Sequence, residues 1–430
     1  MLREAWPSVA AAASGRGGLP KRVQEEVRRY LQCGVLRYGF VQTKCEECQE
    51  SVLVAFSCKA RGWCPSCGAR RAHQTAAHLL TVLPWVAYRQ WTLSLPRELR
   101  WRVMKNVKLW RRVERCLVKA IFRWQRQRAK EVGVVGKPKG GAVSFTQMFS
   151  SALAMAPHLH LLVPEGVWSN GTLVVLLPPG QEEVEAVLAR VVKQVSRAFE
   201  AEDSCWPEDG FEKLQAEGAQ LRLTLTEVPE RERSRRRVAV GQGFSLHADT
   251  WVHGNDREGL ARLCRYGARG PIAGSRLSQE EDGRYAYQTK KGVTLVLTAE
   301  QLVKRLLWLI PPARMHLTSF HGVFASHAKE RARVTPQGNA VEEKVAPSSQ
   351  MAAKSKAPAK PKRPRLDWAT LQQRTFGADV WACPCGGRRR VQAVVTSRRI
   401  AEEVLRNMRL LAPRPPSPVA QAPPQLELSM

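Results

Sequence analysis

The chain has 430 residues, 44% of them hydrophobic, which is enough for two or three domains with ordinary buried cores. It has 68 Lys and Arg against 38 Asp and Glu, and the formal net charge of +30 favours a polyanionic partner, nucleic acid before a membrane surface. No apolar run reaches the roughly 18 residues that a membrane span needs, and Glu4 interrupts the start that a signal peptide would need. We therefore expect a cytoplasmic protein with no membrane partner.

The first predicted elements surround a cluster of cysteines. We interpret residues 1–19 as a flexible N-terminus and residues 20–100 as a zinc-binding domain, which opens with a short helix in PKRVQEEVRRYLQCG. Two C-x2-C pairs follow, fifteen residues apart, and the strand-like insert SVLVAFS predicts a zinc-ribbon-like module. Two such turns aim four thiolates at one tetrahedral, structural Zn²⁺ site. The predicted ligands are Cys45, Cys48, Cys64 and Cys67.

The cysteine content favours a metal site over a disulfide framework. The chain has eleven cysteines, an odd number; five of them lie between Cys45 and Cys67, and the rest are scattered. Cys58 lies between the two pairs and could replace one ligand. The alternative interpretation is a group of unpaired buried cysteines.

Helical and strand patterns alternate through the middle of the chain. We predict helices in ARRAHQTAAHLLTVL and WRVMKNVKLWRRVERCLVKAIFRWQRQRAKEV, with a strand in RQWTLSLP between them. Tryptophans in the second helix could stack bases along a basic path or could form its core; they are Trp101, Trp110 and Trp124. Further strands are predicted at 141–149, 158–163, 172–177, 220–227, 237–248 and 293–297, and helices at 182–200 and 256–268. This is an α/β or α+β pattern.

The composition changes near residue 335. Residues 336–365 are rich in Pro, Ala and Lys and predict a basic linker. Residues 366–412 regain apolar residues and predict a small C-terminal segment, and residues 413–430 predict a disordered tail.

Two histidines occupy an apolar stretch, APHLHLLV. In a strand, His158 and His160 point to the same face because they are two residues apart. Two imidazoles side by side are half or more of a site for a divalent metal ion. Taken alone, a stretch of this kind more often contains a buried histidine with a satisfied hydrogen bond. The metal interpretation therefore needs a second motif elsewhere in the chain that supplies a reactive group.

The segment NDREGLARLCRYGARGP offers such a motif. It predicts a helix in which Tyr266 lies at the border between a buried stripe and a basic face. Arg262, Arg265 and Arg269 surround the tyrosine, and guanidinium groups beside a phenol stabilise its phenolate and can hold a phosphate. Tyrosine so activated is a covalent nucleophile. The alternative is a tyrosine at the rim of a core, with ordinary solvated arginines.

These motifs occur in the order found in one family. The cysteine module is followed by FTQMFSSALAMAPHLHLLVPEGVW, GFSLHAD, LARLCRYGARGPIA and RMHLTSFHGVFASHAK, over residues 20–335 and more weakly through RTFGADVWACPCGG. In this order they resemble the transposases of the insertion-sequence ninety-one family, prokaryotic rolling-circle transposases of the HUH class. The resemblance implies an α+β fold, with an HUH-type catalytic domain of antiparallel sheet at residues 101–335 after the zinc-binding domain.

The resemblance also implies the chemistry. His158 and His160 would hold Mg²⁺ or Mn²⁺ against the scissile phosphate, with Gln147 or His247 as a third ligand. Tyr266 would attack the phosphorus and leave a 5′-phosphotyrosine and a free 3′-OH, so that nicking and rejoining need no ATP. The substrate would be single-stranded or locally melted DNA at the element's ends, in the cytoplasmic nucleoid, and assembly as a homo-oligomer is left open.

The sequence departs from the family at three places. Gly270 stands where some relatives have a second tyrosine, which predicts a single-tyrosine enzyme. The segment ALAMAP lacks the asparagines that often precede the histidines, and CPCGG is one residue shorter than the usual C-P-x-C-G-G. Cys383 and Cys385 are therefore weak candidates for a second zinc site.

The sequence leaves two other classes of function open. One is a non-catalytic zinc-ribbon protein that binds DNA, which explains the charge and the cysteines but not the histidine and tyrosine motifs. The other is a metal-dependent phosphodiesterase that uses water and forms no covalent intermediate.

Overall fold

The computed structural model describes residues 2–14, 18–62, 64–201, 237–290, 292–336 and 366–410 and the strand 425–428. The strand expected at 220–227, nearly all of the linker and most of the tail lie outside these residues. Among the helices that are described, none is long and apolar enough to cross a membrane.

The N-terminal part combines three helices with a β-hairpin. Its elements are α1 (Leu2–Ser14), α2 (Lys21–Gln32), β1 (Phe40–Cys45), β2 (Ser51–Ala55) and α3 (Pro65–Val82). In place of the expected flexible N-terminus, α1 buries apolar side chains at helical spacing, namely those of Leu2, Ala5, Val9 and Ala13. These side chains join the main hydrophobic core, which ties the start of the chain to the domain that follows.

A six-stranded sheet forms the centre of the molecule, and every neighbouring pair of its strands is antiparallel. The strands run in the order β13 (Thr318–Gly322), β4, β5, β3, β9 and β8. Up to residue 252 the strands are β3 (Tyr88–Ser94), β4 (Gly141–Phe149), β5 (Met155–Pro164), β6 (Gly166–Ser169), β7 (Thr172–Val175), β8 (Val238–Gly241) and β9 (Phe244–Val252), of which β6 and β7 form a separate hairpin. The prediction of an α+β fold with an antiparallel sheet is confirmed.

Helices cover both faces of the central sheet. They are α4 (Arg97–Lys105), α5 (Val107–Glu131), α6 (Gln181–Glu200), α7 (Arg257–Ala268), α8 (Ala299–Trp308) and the short α9 (Arg331–Val334). The single helix expected between residues 101 and 132 is divided at Asn106, whose side chain accepts hydrogen bonds from the backbone N–H groups of Lys108 and Leu109 and so caps α5. Trp110 of α5 donates to Thr146, whereas α7 contacts Phe145, so α5 and α7 lie on opposite faces.

A small sheet follows α7, and the last central strand comes after it. The small sheet consists of β10 (Leu277–Gln279), β11 (Tyr285–Gln288) and β12 (Thr294–Leu297), and β13 (Thr318–Gly322) is the edge strand beside β4.

The C-terminal segment folds back onto the N-terminal part. Its elements are α10 (Trp368–Phe376), β14 (Arg389–Val395), α11 (Arg398–Asn407) and β15 (Gln425–Leu428). Strand β14 pairs with β1 from Phe40 opposite Val395 to Cys45 opposite Arg389, and β15 pairs with β2. The strands of the small C-terminal segment and the tail therefore share one four-stranded sheet with β1 and β2.

Candidate active site and zinc clusters

His158 and His160 lie side by side on the face of the sheet that α7 covers. His158 is opposite Gln147 on β4 and Ser94 on β3, and His160 is opposite Phe145 and Thr92. The centroids of the two imidazole rings are 4.9 Å apart. The strand prediction at 158–163 thus places both side chains on one face, as expected from their spacing.

The hydrogen bonds of the two histidines leave one nitrogen of each ring available. His158 Nδ1 lies 2.8 Å from the carbonyl oxygen of Ala156 and donates to it, and His160 Nδ1 lies 3.0 Å from Thr92 Oγ1. His160 Nε2 is buried and has no hydrogen-bond partner among the described residues. Burial lowers the pKa of both imidazoles, that of His160 strongly, so the rings are in the neutral form that binds metal ions.

Gln147 connects the histidine strand to the tyrosine helix. Its Nε2 donates to the backbone carbonyl oxygens of Tyr266 and Gly267, at 2.6 and 3.0 Å. Its Oε1 is buried without a partner in the described part of the chain. His247, the other candidate for a third ligand, is on the same face opposite Thr92, but β3 separates its strand from β5, which puts the strands roughly 10 Å apart.

Tyr266 reaches the histidines because α7 approaches the sheet closely. The centroids of the His160 and Tyr266 rings are 5.5 Å apart. Gly267 permits this approach: a Cβ atom there would lie 2.5 Å from Cγ of Phe145. At the start of the helix, Asp256 accepts a hydrogen bond of 2.7 Å from the backbone N–H of Gly259 and caps the N-terminus.

Two cations flank the tyrosine ring. Lys290 Nζ lies 4.1 Å and the Arg269 guanidinium carbon 4.8 Å from its centroid. Burial alone would raise the pKa of Tyr266, but a hydrogen bond from Lys290 and the charge of Arg269 outweigh it, and the pKa is lowered. Sequence reasoning missed Lys290, because it follows β11 and no local pattern links it to the helix.

The three predicted arginines have different surroundings. Only Arg269 lies over the tyrosine ring. Arg262 is exposed and faces Asp256 and Glu258, at 3.7 and 3.6 Å. Burial lowers the pKa of His73 in α3, and the charge of Arg265 lowers it further. The tryptophans also differ from a base-stacking surface, since Trp101 and Trp110 are buried and Trp124 packs against Trp91 in the core.

The cysteines form two clusters of four thiols instead of the single predicted site. The first unites Cys33, Cys58, Cys64 and Cys67; the second unites Cys45, Cys48, Cys383 and Cys385. The predicted set of Cys45, Cys48, Cys64 and Cys67 is therefore divided between two sites. The reason is that β2 and the loop after it separate the two C-x2-C turns, and each turn finds a different partner segment.

The first cluster lies where α2 ends and α3 begins. Cys33 follows α2, Cys58 follows β2, and Cys64 and Cys67 occupy the N-terminal turn of α3. The Cys33–Cys64 and Cys58–Cys67 sulfur distances are 3.7 and 3.3 Å. A tetrahedron with Zn–S bonds of about 2.3 Å has sulfur atoms roughly 3.8 Å apart, so the thiols are spaced for one Zn²⁺ ion. Hydrogen bonds from Cys33, Cys58 and Cys64 hold the pKa of Cys67 far below its usual range, which favours the metal-binding thiolate.

The second cluster joins the two ends of the chain. Because β14 pairs with β1, the CPCGG turn that precedes β14 lies beside Cys45 and Cys48. The Cys45–Cys385 and Cys48–Cys383 sulfur distances are 3.6 and 3.5 Å, again near the spacing of a tetrahedral zinc site. The shortened C-x-C spacing therefore does not exclude Cys383 and Cys385 as ligands, contrary to the expectation from sequence.

The helix that carries the first cluster also contacts the tyrosine helix. Helices α3 and α7 pack along each other, and Gly68, next to Cys67, meets Gly270 just beyond α7. A Cβ atom on Gly68 would lie 3.5 Å from the Gly270 Cα atom. The nucleophile candidate and the first zinc cluster therefore rest on one pair of helices.

Two family models match the chain. Residues 1–95 match the "Transposase zinc-binding domain", and residues 141–332 match a family described as "Putative transposase". No curated protein and no solved structure matches. The two matches cover the zinc clusters' N-terminal ligands, the histidine strand and the tyrosine helix, in the order that the sequence motifs had indicated. The chain is a member of the insertion-sequence ninety-one family of transposases.

Proposed function

We propose that this transposase nicks and rejoins single-stranded DNA at the ends of its element through a covalent bond between Tyr266 and a 5′ phosphate. The observation that carries the proposal is the placement of the tyrosine. Its ring lies 5.5 Å from the His160 ring, over the face of the sheet to which both histidines point. Two cations beside the ring lower the pKa of its phenol. A nucleophile beside a metal site is the arrangement that phosphoryl transfer requires.

The residues around the histidines fit a catalytic Mg²⁺ or Mn²⁺ ion. His158, His160 and Gln147 would hold it, since His160 Nε2 and Gln147 Oε1 are buried polar atoms without partners in the described structure. The amide oxygen suits the preference of hard cations for oxygen ligands. When bound, such an ion supplies positive charge to a phosphate oxygen. We favour Gln147 over His247 because its strand is adjacent to β5.

The covalent step uses the phenol oxygen. Tyr266 gives up its proton, forms a bond from Oη to phosphorus, and the bond from phosphorus to the 3′ oxygen breaks; that oxygen takes up a proton and leaves as a 3′-OH. Lys290 and Arg269 stabilise the phenolate before attack. One phosphoester replaces another, so the reverse attack by a 3′-OH restores the strand without ATP. We propose a single-stranded or locally melted substrate because the motifs around Tyr266 resemble those of the rolling-circle transposases of the HUH class.

We further propose that each cysteine cluster binds one structural Zn²⁺ ion. Both consist of four thiols with the spacing of a closed tetrahedral site, which leaves no position for a substrate. The zinc-binding family match includes six of the eight ligands, and the remaining two are Cys383 and Cys385.

The test is a single-stranded oligonucleotide that carries the element's end and is labelled on the side that stays with the protein. The wild-type protein and Mg²⁺ should give a labelled band that survives denaturation, and Tyr266→Phe should give none while binding the oligonucleotide normally. Cleavage without a protein-linked band would favour a phosphodiesterase that uses water. Binding without cleavage in any divalent metal would favour a non-catalytic DNA-binding protein. A linked band that persists in Tyr266→Phe would move the nucleophile to Tyr285 or Tyr287, although both are buried.

A further inference from the structure

Helix α5 carries a continuous row of cations along its exposed side. Successive members are three or four residues apart, so they lie on one face of the helix. All seven are exposed to solvent; they are Lys108, Arg112, Arg115, Lys119, Arg123, Arg126 and Lys130. We call this row the basic stripe.

The basic stripe has no counter-charge in the described structure. None of the seven side chains forms an ion pair or a hydrogen bond with another described residue. The helix contains two carboxylates, and both are engaged elsewhere: Glu114 is buried beside Ser144 and His321, and Glu131 pairs with Arg128 outside the stripe. Like charges at this spacing repel each other along a helix. An external polyanion would remove that repulsion.

The stripe lies on the far side of the sheet from Tyr266. The buried side of α5 packs on the face that includes Thr146, through the bond from Trp110, and Tyr266 lies over the face that includes Phe145. The sheet therefore separates the stripe from the histidines. The nucleotides bound at Tyr266 cannot contact the stripe at the same time. It is a second surface.

The chemistry of the stripe fits phosphates and not bases. Binding of a single strand usually combines cations with aromatic rings on which bases stack. The tryptophans of this region face inward: Trp110 donates a hydrogen bond to Thr146, and Trp124 donates one to Glu183. Their rings are therefore not available for stacking with bases. The stripe extends over 23 residues, or roughly 33 Å of helix, about one turn of double-stranded DNA.

We propose that the basic stripe binds the phosphate backbone of double-stranded DNA, independently of its sequence. In the proposed function this would hold the duplex part of the element's end on one side of the sheet while a melted strand reaches Tyr266 on the other. The binding test does not depend on nicking, so the two proposals can fail separately.

The test compares two triple variants that remove equal charge. Lys119→Gln, Arg123→Gln and Arg126→Gln together remove the middle of the stripe. Arg399→Gln, Arg406→Gln and Arg409→Gln remove three exposed cations of the C-terminal segment. Affinity for a labelled duplex of arbitrary sequence, and for a single strand of the same length, is measured over a series of salt concentrations.

The stripe variant should bind the duplex at least about tenfold more weakly at moderate salt, with a slope of log affinity against log salt reduced by about 3. Its affinity for the single strand and its nicking of a short single-stranded oligonucleotide should stay near wild type, as should duplex binding by the C-terminal variant. An equal loss of duplex affinity in the two variants would show that only net charge matters, and it would overturn the proposal. A loss confined to the single strand would overturn it as well, in favour of a single-strand path.

Discussion

The central sheet and the zinc-binding domain bring their functional residues together in different ways. In the sheet, His158 and His160 share a face because they are two residues apart in one strand, and Gln147 joins them by register. In the zinc-binding domain, the second cluster joins Cys45 to Cys385, which are 340 residues apart in the chain. A local pattern is sufficient for the first site, whereas the second depends on which distant strand pairs with β1.

The comparison is tested most directly by removing the histidines. We expect His158→Ala with His160→Ala to reduce formation of the covalent adduct by at least about a thousandfold, the order of loss seen when catalytic groups that act as a unit are removed. The fold and the zinc content should be retained, because the two side chains make one hydrogen bond each, to Ala156 and to Thr92, and neither belongs to a cysteine cluster. Adduct formation in Mg²⁺ is read on denaturing gels, with circular dichroism as the control for folding. Undiminished cleavage by the double variant would place the metal elsewhere.

The two zinc clusters can be separated by single substitutions. Native mass spectrometry of the wild-type chain should show two Zn²⁺ ions. Cys385→Ser should leave one, and should expose residues 366–410 to protease, because the free energy of metal binding at such sites is largely folding free energy. Cys33→Ser should also leave one, but should loosen α3 and with it the tyrosine helix that α3 contacts. If a single site of Cys45, Cys48, Cys64 and Cys67 were correct, neither substitution would change the zinc content.

Much of the central domain could be predicted from the sequence, for physical reasons. The apolar alternation around His158 and the capped helix around Tyr266 are set by neighbours in the chain, and the structure has both. The pairing of cysteines could not be predicted, because a C-x2-C turn shows where two ligands lie and not which other turn completes the site. Lys290 was missed for the same reason: only the fold brings the loop after β11 to the tyrosine.

The identity of the third metal ligand tests whether strand register identifies the residues of the site. Gln147→Ala should lower cleavage by about 10- to 100-fold, and added Mn²⁺ should restore part of it, because removal of a ligand weakens metal binding. His247→Ala is the matched comparison on the same face of the sheet and should have little effect. The measurement is the rate of adduct formation as a function of metal concentration. The reverse ranking of the two variants would show that β9, and not β4, completes the site.

The closeness of the tyrosine helix to the sheet can be altered by one methyl group. Gly267→Ala should destabilise the protein by about 1–3 kcal/mol, because the new Cβ atom would overlap the Phe145 ring, and should slow adduct formation by moving Tyr266 from His160. Gly270→Ala is a suitable control, since its Cβ atom would make an ordinary contact of 3.7 Å with Gly68. Thermal unfolding and adduct formation are measured for both. Equal stability of the two variants would contradict the close approach.

The smallest expected effect concerns Lys290 and appears as a shift along the pH axis. In the native protein the Lys290 hydrogen bond and the charge of Arg269 outweigh burial and lower the pKa of Tyr266. The phenolate is the attacking form, so the rate of adduct formation should rise with pH through that pKa. Lys290→Gln removes the charge that favours the phenolate while burial remains, so the pKa should rise and the ascending part of the profile should move to higher pH. Rates should therefore fall near pH 7 and converge with wild type at alkaline pH. Arg262→Gln removes a charge from the same helix that faces Asp256 and Glu258, and its profile should match wild type. The opposite result, a pH profile that is unchanged in Lys290→Gln and shifted in Arg262→Gln, would contradict this assignment. It would mean that Arg262, as the sequence alone had suggested, activates the tyrosine.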